Sequence, residues 1–232
     1  MLSILVVVLL SYLIGAIPSS LWIGKSFFKI DIREHGSGNA GATNTFRILG
    51  WKAGTVVLIC DFGKGLLCTT VISQLAWSIG DGPAVLYSGW EPEAMILIFA
   101  GVAAVAGHMF PVYSNFCGGK GAATACGMLY GIEPVSISIS LAIFLIVMFS
   151  TRYVSLASII STLIYPFSQL ILRYGFNWDI DGSIILFSSV LSLAIVIKHK
   201  GNIKRLLEGT ENRVQSFKPA KGRLSQEKGG ES

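Results

Sequence analysis

Long apolar blocks separated by short polar loops run through most of the sequence, and they limit the chain to a membrane fold. Of its 232 residues, 52% are hydrophobic and 13% are charged, and the mean hydropathy is +0.65. An apolar block of about 20 residues is what a helix needs to cross a bilayer, and a soluble core does not need such blocks in series. The sequence therefore predicts an all-α integral membrane protein.

The apolar blocks predict a bundle of about seven transmembrane helices, one of them too short for an ordinary span. The first block has no basic flank, so we interpret it as a span and not as a signal peptide. We expect a transmembrane domain over residues 1–212 and a basic, flexible cytoplasmic tail over 213–232. Most of the basic sequence from Lys198 onward could simply be a polybasic segment held against anionic lipid headgroups. The predicted spans are 3–24, 53–79, 94–112, 122–132 (short), 135–150, 154–172 and 182–197.

Loop charges predict the orientation in the membrane. The loop 25–52 is rich in lysine and arginine, whereas the loop 80–93 has Asp81, Glu91 and Glu93 and no basic residue. Cytoplasmic loops carry the excess of basic residues, so the first loop should face the cytoplasm and the second the outside. The N-terminus is then outside and the tail is inside.

A glycine-rich loop, Gly118-Gly119-Lys120-Gly121, interrupts the apolar sequence after the third predicted span. Glycines let backbone amides approach an oxyanion closely, and a lysine adds a positive charge. The spacing is not that of a nucleotide-binding loop, so the pattern favours a phosphate group and not a nucleotide. The alternative is a tight turn between packed helices, with its lysine reaching the headgroups.

Two further polar stretches should face the same side of the membrane. The first, 36–47, alternates glycines with polar side chains and ends at Arg47, and the second, 199–211, follows the last span. The first stretch could instead be a flexible surface turn. Three such segments on one face instead indicate a site for a phosphorylated substrate. The candidate contacts in the first stretch are Ser37, Gly38, Asn39, Thr43, Asn44 and Arg47.

Asp61 and Lys64 lie three residues apart inside the second predicted span, so they share one helical face. Charges within a span are costly and serve a pathway, a site or each other. We expect mutual neutralisation, a structural role, with Asp61 as a possible proton acceptor. The four cysteines show no metal-ligand spacing, so we expect no metal site and no cofactor.

The three polar stretches, in this order and separated by spans, resemble the three motifs of the bacterial acyl-phosphate:glycerol-3-phosphate acyltransferases, the PlsY family. They are GSGNAGATNTFR, GHMFPVYSNFCGGKGAAT and HKGNIKRLLEGTE. The resemblance covers the chain from the first span to about Glu211. It implies a multi-pass inner-membrane enzyme whose active site faces the cytoplasm and whose substrates are acyl phosphate and glycerol 3-phosphate. The sequence departs from the family's motif only slightly, at Cys117 and Ala122.

The resemblance also implies roles for individual residues. Ser37 and Arg47 are expected to be required for activity, the Gly118–Gly121 loop to bind glycerol 3-phosphate, His199 and Asn202 to be functional, and Glu211 to be structural. The expected partners are the two substrates and membrane lipid, with no nucleic acid, and the sequence sets no oligomeric state. The expected catalytic residues are Ser37, Arg47, Lys120, His199 and Asn202; the expected substrate contacts are Gly38, Asn39, Thr43, Asn44, Gly118, Gly119 and Gly121.

The residue types suit this chemistry on their own terms. An acyl phosphate already has a good leaving group, so the reaction needs charge neutralisation and positioning more than a covalent nucleophile. Arginine suits a paired contact to phosphate, and lysine supplies a point charge. The hydroxyl proton has three possible acceptors: the substrate phosphate, His199 and Asp61. The resemblance implies that the substrate phosphate takes the proton, which leaves His199 as a binding and orienting residue.

Other membrane functions are weighed against the same residues. Acyltransferases with a His-x-x-x-x-Asp pair are excluded, since Ala40, Tyr113 and Lys204 stand five residues after the three histidines. A CDP-alcohol phosphotransferase would need clustered aspartates, which are absent from the sequence. The remaining alternative is a small transporter for a phosphorylated solute, since charged residues and glycines also line substrate pathways.

Overall fold

The computed structural model describes residues 2–79 and 89–213, and this part of the chain is helical, with no β-strand. The predicted tail beyond Arg213 and most of the predicted outer loop 80–93 lie outside the described residues, so the domain boundary at 213 stays a prediction. By length and composition, five helical segments are apolar enough to cross a membrane. They are Leu2–Phe28, Trp51–Ser78, Pro92–Ser114, Pro134–Thr151 and Val154–Phe176.

Two further apolar segments are candidates for crossing the membrane. Gly182–Lys198 and Lys200–Leu207 form a pair bent by 56°, and together they pass the same test, while Ala122–Ile132 is a shorter apolar helix. The all-α membrane fold and the short helix are therefore confirmed. The count of seven spans stays a prediction, because the bent pair and the short helix need not each cross the bilayer.

The described residues fall into two compact units. The first holds 2–79 and Ile96–Ile132, and the second holds 89–95 and 133–213. The α-helices, in chain order, are α1 Leu2–Gly15, α2 Ser19–Ile23, α3 Ala42–Leu49, α4 Trp51–Thr70, α5 Leu75–Ser78, α6 Pro92–Met109, α7 Ala122–Ile132, α8 Pro134–Thr151, α9 Val154–Phe176, α10 Gly182–Lys198 and α11 Lys200–Leu207.

The first predicted span is not one continuous helix. It breaks before Pro18, which has no N–H for the helical ladder, and resumes as α2 and a π-helical turn over Gly24–Phe28. It therefore extends four residues beyond the predicted end at Gly24. A short 3₁₀ turn, Ile32–Glu34, then begins the polar stretch before α3.

Small residues bring the first unit's helices into close contact. A Cβ added to Gly65 of α4 would overlap the carbonyl of Thr124 on α7, and one added to Gly127 would overlap the carbonyl of Phe62. Close backbone approach of this kind is how helices associate in lipid, where no hydrophobic effect draws them together. α4 is thus held firmly beside α7, the helix that follows the glycine-rich loop.

In the second unit, acidic caps start two of the helices. Glu133 accepts hydrogen bonds from the amides of Val135 and Ser136 at the start of α8, and Asp181 caps α10 through the amide of Ser183. These caps satisfy amides that have no partner inside the helix. Pro166 of α9 has no N–H, so the carbonyl of Thr162 one turn earlier lacks its usual helical donor. The hydroxyl of Ser192 on α10 donates to this carbonyl instead, at 2.6 Å.

Candidate functional site

In the first unit, the polar stretch 36–47 folds around one buried amide. Asn44 of α3 is 1% exposed. Its Oδ1 accepts from the amide of Ser37 at 3.0 Å, and its Nδ2 donates to the carbonyls of Ile32 and His35 at 3.0 and 2.9 Å. The sequence predicts Asn44 as a substrate contact, whereas in the structure its side-chain amide makes hydrogen bonds to the main chain of the loop. Asn44 therefore positions Ser37.

The entry to this stretch is fixed by a charged network. Arg33 donates to both carboxylate oxygens of Asp31, at 3.0 and 2.8 Å, and Lys25 lies 3.2 Å from Asp31. The hydrogen-bonded Arg33 guanidinium holds the pKa of Asp31 well below its usual range. Asp31 therefore holds Arg33 at the start of the stretch, and because Lys25 is a second cation on the same carboxylate, the network keeps a net positive charge.

Other polar groups of the first unit remain available. Ser37, Thr43, Arg47 and Lys120 are exposed. Within 2–79 and 89–213, neither the Arg47 guanidinium, the Lys120 ammonium nor the Ser37 hydroxyl takes part in a hydrogen bond or an ion pair. Two unpaired cations and a hydroxyl are the groups that would contact a phosphorylated ligand.

The glycine-rich loop packs on the end of α6 and on the first polar stretch. The amide of Gly119 donates to the carbonyl of His108 at 3.1 Å, and a Cβ at Gly119 would lie 2.7 Å from the carbonyl oxygen of Ala40. A Cβ at Gly118 would overlap the His108 carbonyl. The structure therefore brings the first two motifs together, and it gives a packing reason for both glycines beside the predicted ligand contact.

Glycine is also required for backbone conformation at two predicted contacts. Gly38 has a φ of +71° and Gly121 has a φ of +79°, both in the left-handed region that side chains disfavour. Gly121 immediately precedes α7, so its turn directs the chain from Lys120 into the helix. Asn39 is partly buried just before the α3 cap, Gly41.

In the second unit, Glu211 organises the third motif. Its Oε1 accepts from the side chains of Asn202 at 2.9 Å and Ser155 at 2.8 Å, and its Oε2 accepts from Arg205 at 2.7 Å. The hydrogen bonds from Asn202, Ser155 and Arg205 lower the pKa of Glu211. The carboxylate thus ties the C-terminal end of the motif to α11 and to the start of α9, as a structural residue would.

The tautomer of His199 follows from its main-chain contact. Its Nδ1 lies 2.8 Å from the carbonyl oxygen of Ile195, and a carbonyl oxygen can only accept, so Nδ1 carries a proton. The other ring nitrogen, Nε2, has no hydrogen-bond partner in the described part of the chain. His199 lines an open pocket of about 390 Å³ together with Val154, Ser155, Ser158, Asn202, Glu211, Asn212 and Arg213.

Sequence reasoning missed several residues that the structure places at these sites. Ser155, Ser158 and Arg213 line the second unit's pocket, and Arg213 donates to the hydroxyl of Tyr153 at 2.8 Å. Serine and arginine are common residue types, and these three stand outside the polar stretches that the sequence singles out, so no sequence signal marks them. His108 is also missed, although a histidine at the end of an apolar span is itself a signal.

The structure also suggests a test of the structural role of Glu211. Glu211→Gln should lower both turnover and the unfolding temperature, because Arg205 loses its carboxylate and Asn202 is no longer held by a charged acceptor. Glu208→Gln is the matched control, since its contact to Lys204 spans 3.8 Å between exposed side chains and should matter little. Equal activity of both variants, measured as kcat and KM, would contradict the role.

Comparison with known proteins identifies the family of the chain. The family model described as glycerol-3-phosphate acyltransferase matches residues 5–209. The chain is 44% identical over 222 residues to the glycerol-3-phosphate acyltransferase of Salinibacter ruber, covering 96% of this chain and 97% of that protein. It is 41% identical over 232 residues to the corresponding protein of Chlorobaculum tepidum, covering 92% and 97%.

Solved structures of similar proteins belong to the same family. The crystal structure of PlsY, an integral membrane glycerol 3-phosphate acyltransferase, in its glycerol 3-phosphate form superimposes with a TM-score of 0.66 at 36% identity, covering 91% of this chain and 96% of that one. Its lysophosphatidic acid form gives 0.65 at 35% identity, covering 91% and 95%. With its apolar helices and a family match over residues 5–209, this multi-pass membrane protein belongs to the glycerol-3-phosphate acyltransferase family.

Proposed function

We propose that the protein transfers a fatty acyl group from acyl phosphate to the 1-hydroxyl of glycerol 3-phosphate. The products are 1-acyl-glycerol 3-phosphate (lysophosphatidic acid) and inorganic phosphate. The observation that carries the proposal is that Ser37, Arg47 and Lys120 of a chain of this family expose polar groups that have no partner among the described residues. The solved PlsY structures in glycerol 3-phosphate and lysophosphatidic acid forms support the acceptor and the product.

The reaction needs little from the protein beyond charge and position. The 1-hydroxyl oxygen attacks the acyl carbon, the new ester bond forms, and the bond from the acyl carbon to the phosphate oxygen breaks. The departing phosphate takes the hydroxyl proton, so no protein base is required. Acyl phosphate is a mixed anhydride, and alignment of the two reactants supplies much of the acceleration.

The protein's residues serve the two phosphates. Arg47 can offer a planar, paired contact and Lys120 a point charge, and each reduces the repulsion between two anionic substrates. Ser37 is held by Asn44 and presents its hydroxyl for orientation. In the second unit, Asn202 is fixed by Glu211 and His199 offers Nε2, so both act as orienting groups. From the loop charges, we place this chemistry at the cytoplasmic face of the bacterial inner membrane.

A direct assay tests the function. Protein purified in detergent is incubated with acyl phosphate and labelled glycerol 3-phosphate, with acyl-CoA and acyl-carrier protein as separate donors. We expect labelled lysophosphatidic acid only with acyl phosphate. Transfer from a thioester alone would overturn the proposed donor. No transfer from any donor, with uptake of the label by sealed vesicles, would favour a transporter, since a transporter needs two compartments.

A further inference from the structure

A buried charged cluster lies in the first unit, beside the glycine-rich loop. Asp61, Lys64 and His108 are 2%, 7% and 7% exposed. Lys64 Nζ lies 3.1 Å from Asp61 Oδ1, and His108 Nδ1 lies 3.6 Å from the same oxygen. The cluster therefore contains a third member beyond the pair that the sequence predicts. Buried ionisable groups in a membrane span are costly, which makes a functional reason worth seeking.

The lysine has a partner of its own away from the loop. Its Nζ donates to the carbonyl of Ile17 at 3.0 Å, where the first span is broken. Asp61 Oδ1, in contrast, has no hydrogen bond of good geometry to any described residue, although the Lys64 ammonium is close. It lines a cavity of about 10 Å³, the space of about one water molecule. The ion pair with Lys64 therefore leaves the Asp61 carboxylate able to interact with a second group.

The histidine connects the cluster to the loop. Its carbonyl accepts from the amide of Gly119 at 3.1 Å, and its ring nitrogen Nε2 lies so close to Gly119 that a Cβ there would overlap it. The same small cavity is lined by Asp61, His108, Gly118 and Gly119. A rotation of the imidazole would displace Gly119, and with it the next residue, Lys120.

We propose that Asp61 and His108 are positioning residues for Lys120. Asp61 orients the imidazole through Nδ1, and the imidazole supports Gly118 and Gly119 so that Lys120 faces the phosphate of glycerol 3-phosphate. This inference rests on the proposed function for its ligand. It differs from mutual neutralisation, in which Asp61 serves only to balance the charge of Lys64.

A pair of double variants separates the two roles. Asp61→Leu/Lys64→Met removes both charges, and replacement of a buried ion pair by apolar residues is commonly neutral or stabilising. Mutual neutralisation therefore predicts wild-type binding. Positioning predicts that the dissociation constant for glycerol 3-phosphate rises about tenfold, since the carboxylate that faces the imidazole is lost and residues in contact within one network couple by about this much. Asp61→Asn/Lys64→Met keeps an oxygen that can accept from His108 Nδ1, so it should restore most of the affinity.

A single variant provides a second measure. His108→Gln leaves the Asp61–Lys64 pair intact, so the protein should fold, but the amide cannot reproduce the ring's contact with Gly119. We expect a similar loss of affinity. Combining it with Asp61→Leu/Lys64→Met should add little further loss, because residues of one network act non-additively. Thermal unfolding checks the fold of each variant.

Calorimetry with glycerol 3-phosphate alone makes the outcomes distinct, because no acyl donor is present. Wild-type affinity in Asp61→Leu/Lys64→Met or in His108→Gln would overturn the inference, and so would equal losses in the Leu and Asn double variants. If the wild type binds glycerol 3-phosphate but does not use acyl phosphate, the proposed donor fails while the positioning result stands. A wild type that does not bind glycerol 3-phosphate overturns both.

Discussion

Lys120→Ala is expected to reduce turnover to background, a loss of at least about a hundredfold, which is typical when one preorganised group for a developing charge is removed. The physical reason is that Lys120 supplies an exposed ammonium in a loop that otherwise offers only backbone amides. Its side chain has no partner within the described part of the chain. The variant should therefore unfold at the wild-type temperature, so lost activity cannot be ascribed to lost structure.

Lys52→Ala is the matched control. Lys52 is also exposed in the first unit, and its recorded contact is to the ring of Trp51, 5.9 Å away. A general loss of positive charge at this surface would affect both variants through weaker attraction of anionic substrates, and the loss would shrink as salt is added. A specific contact affects Lys120→Ala alone. Full activity of Lys120→Ala would mean that the glycine-rich loop is only a turn.

The sequence predicts the membrane fold well because the bilayer imposes one simple requirement. A spanning helix must be apolar over about 20 residues, so block lengths alone reveal most of the segments. They do not reveal the break before Pro18, or whether Ala122–Ile132 and the bent pair after Gly182 each cross the bilayer. Those features depend on packing and on the bilayer itself, which a single sequence does not specify.

For the candidate site, too, the sequence indicates some residues, whereas the roles of others require the structure. Ser37, Arg47 and Lys120 can be proposed from the sequence because they stand in glycine-rich polar stretches between apolar spans, and because those stretches resemble the motifs of a known family. The distinction between contact and support needs the structure, because Asn44 and Thr43 look alike in a polar loop. In the structure the side-chain amide of Asn44 is buried, whereas Thr43 is exposed. The supporting role of His108 likewise depends on a contact with Gly119 that joins two chain segments.

Arg47 should give the second large effect, and it distinguishes a paired phosphate contact from a general positive charge. Arg47→Lys keeps the charge but loses the planar fork of donors, so it is not a conservative change at a paired contact. A charge-assisted hydrogen bond contributes about 1.5–3 kcal/mol, which corresponds to about one to two decades in kcat/KM if the transition state uses it fully. Arg47→Lys should lose about that much activity, and Arg47→Ala should lose clearly more.

A different role for Arg47 predicts a different order of variants. If the guanidinium only reached lipid phosphates or set the orientation of the loop, lysine would serve nearly as well, because it also extends its charge to the headgroups. The measurement is kcat/KM for glycerol 3-phosphate at saturating acyl phosphate, with thermal unfolding as the check on structure. Since Arg47 is exposed on α3 and has no partner in the described chain, neither variant should be much less stable. Wild-type activity of Arg47→Lys would leave Arg47 as a topological charge, and the paired phosphate contact would then have to come from another residue.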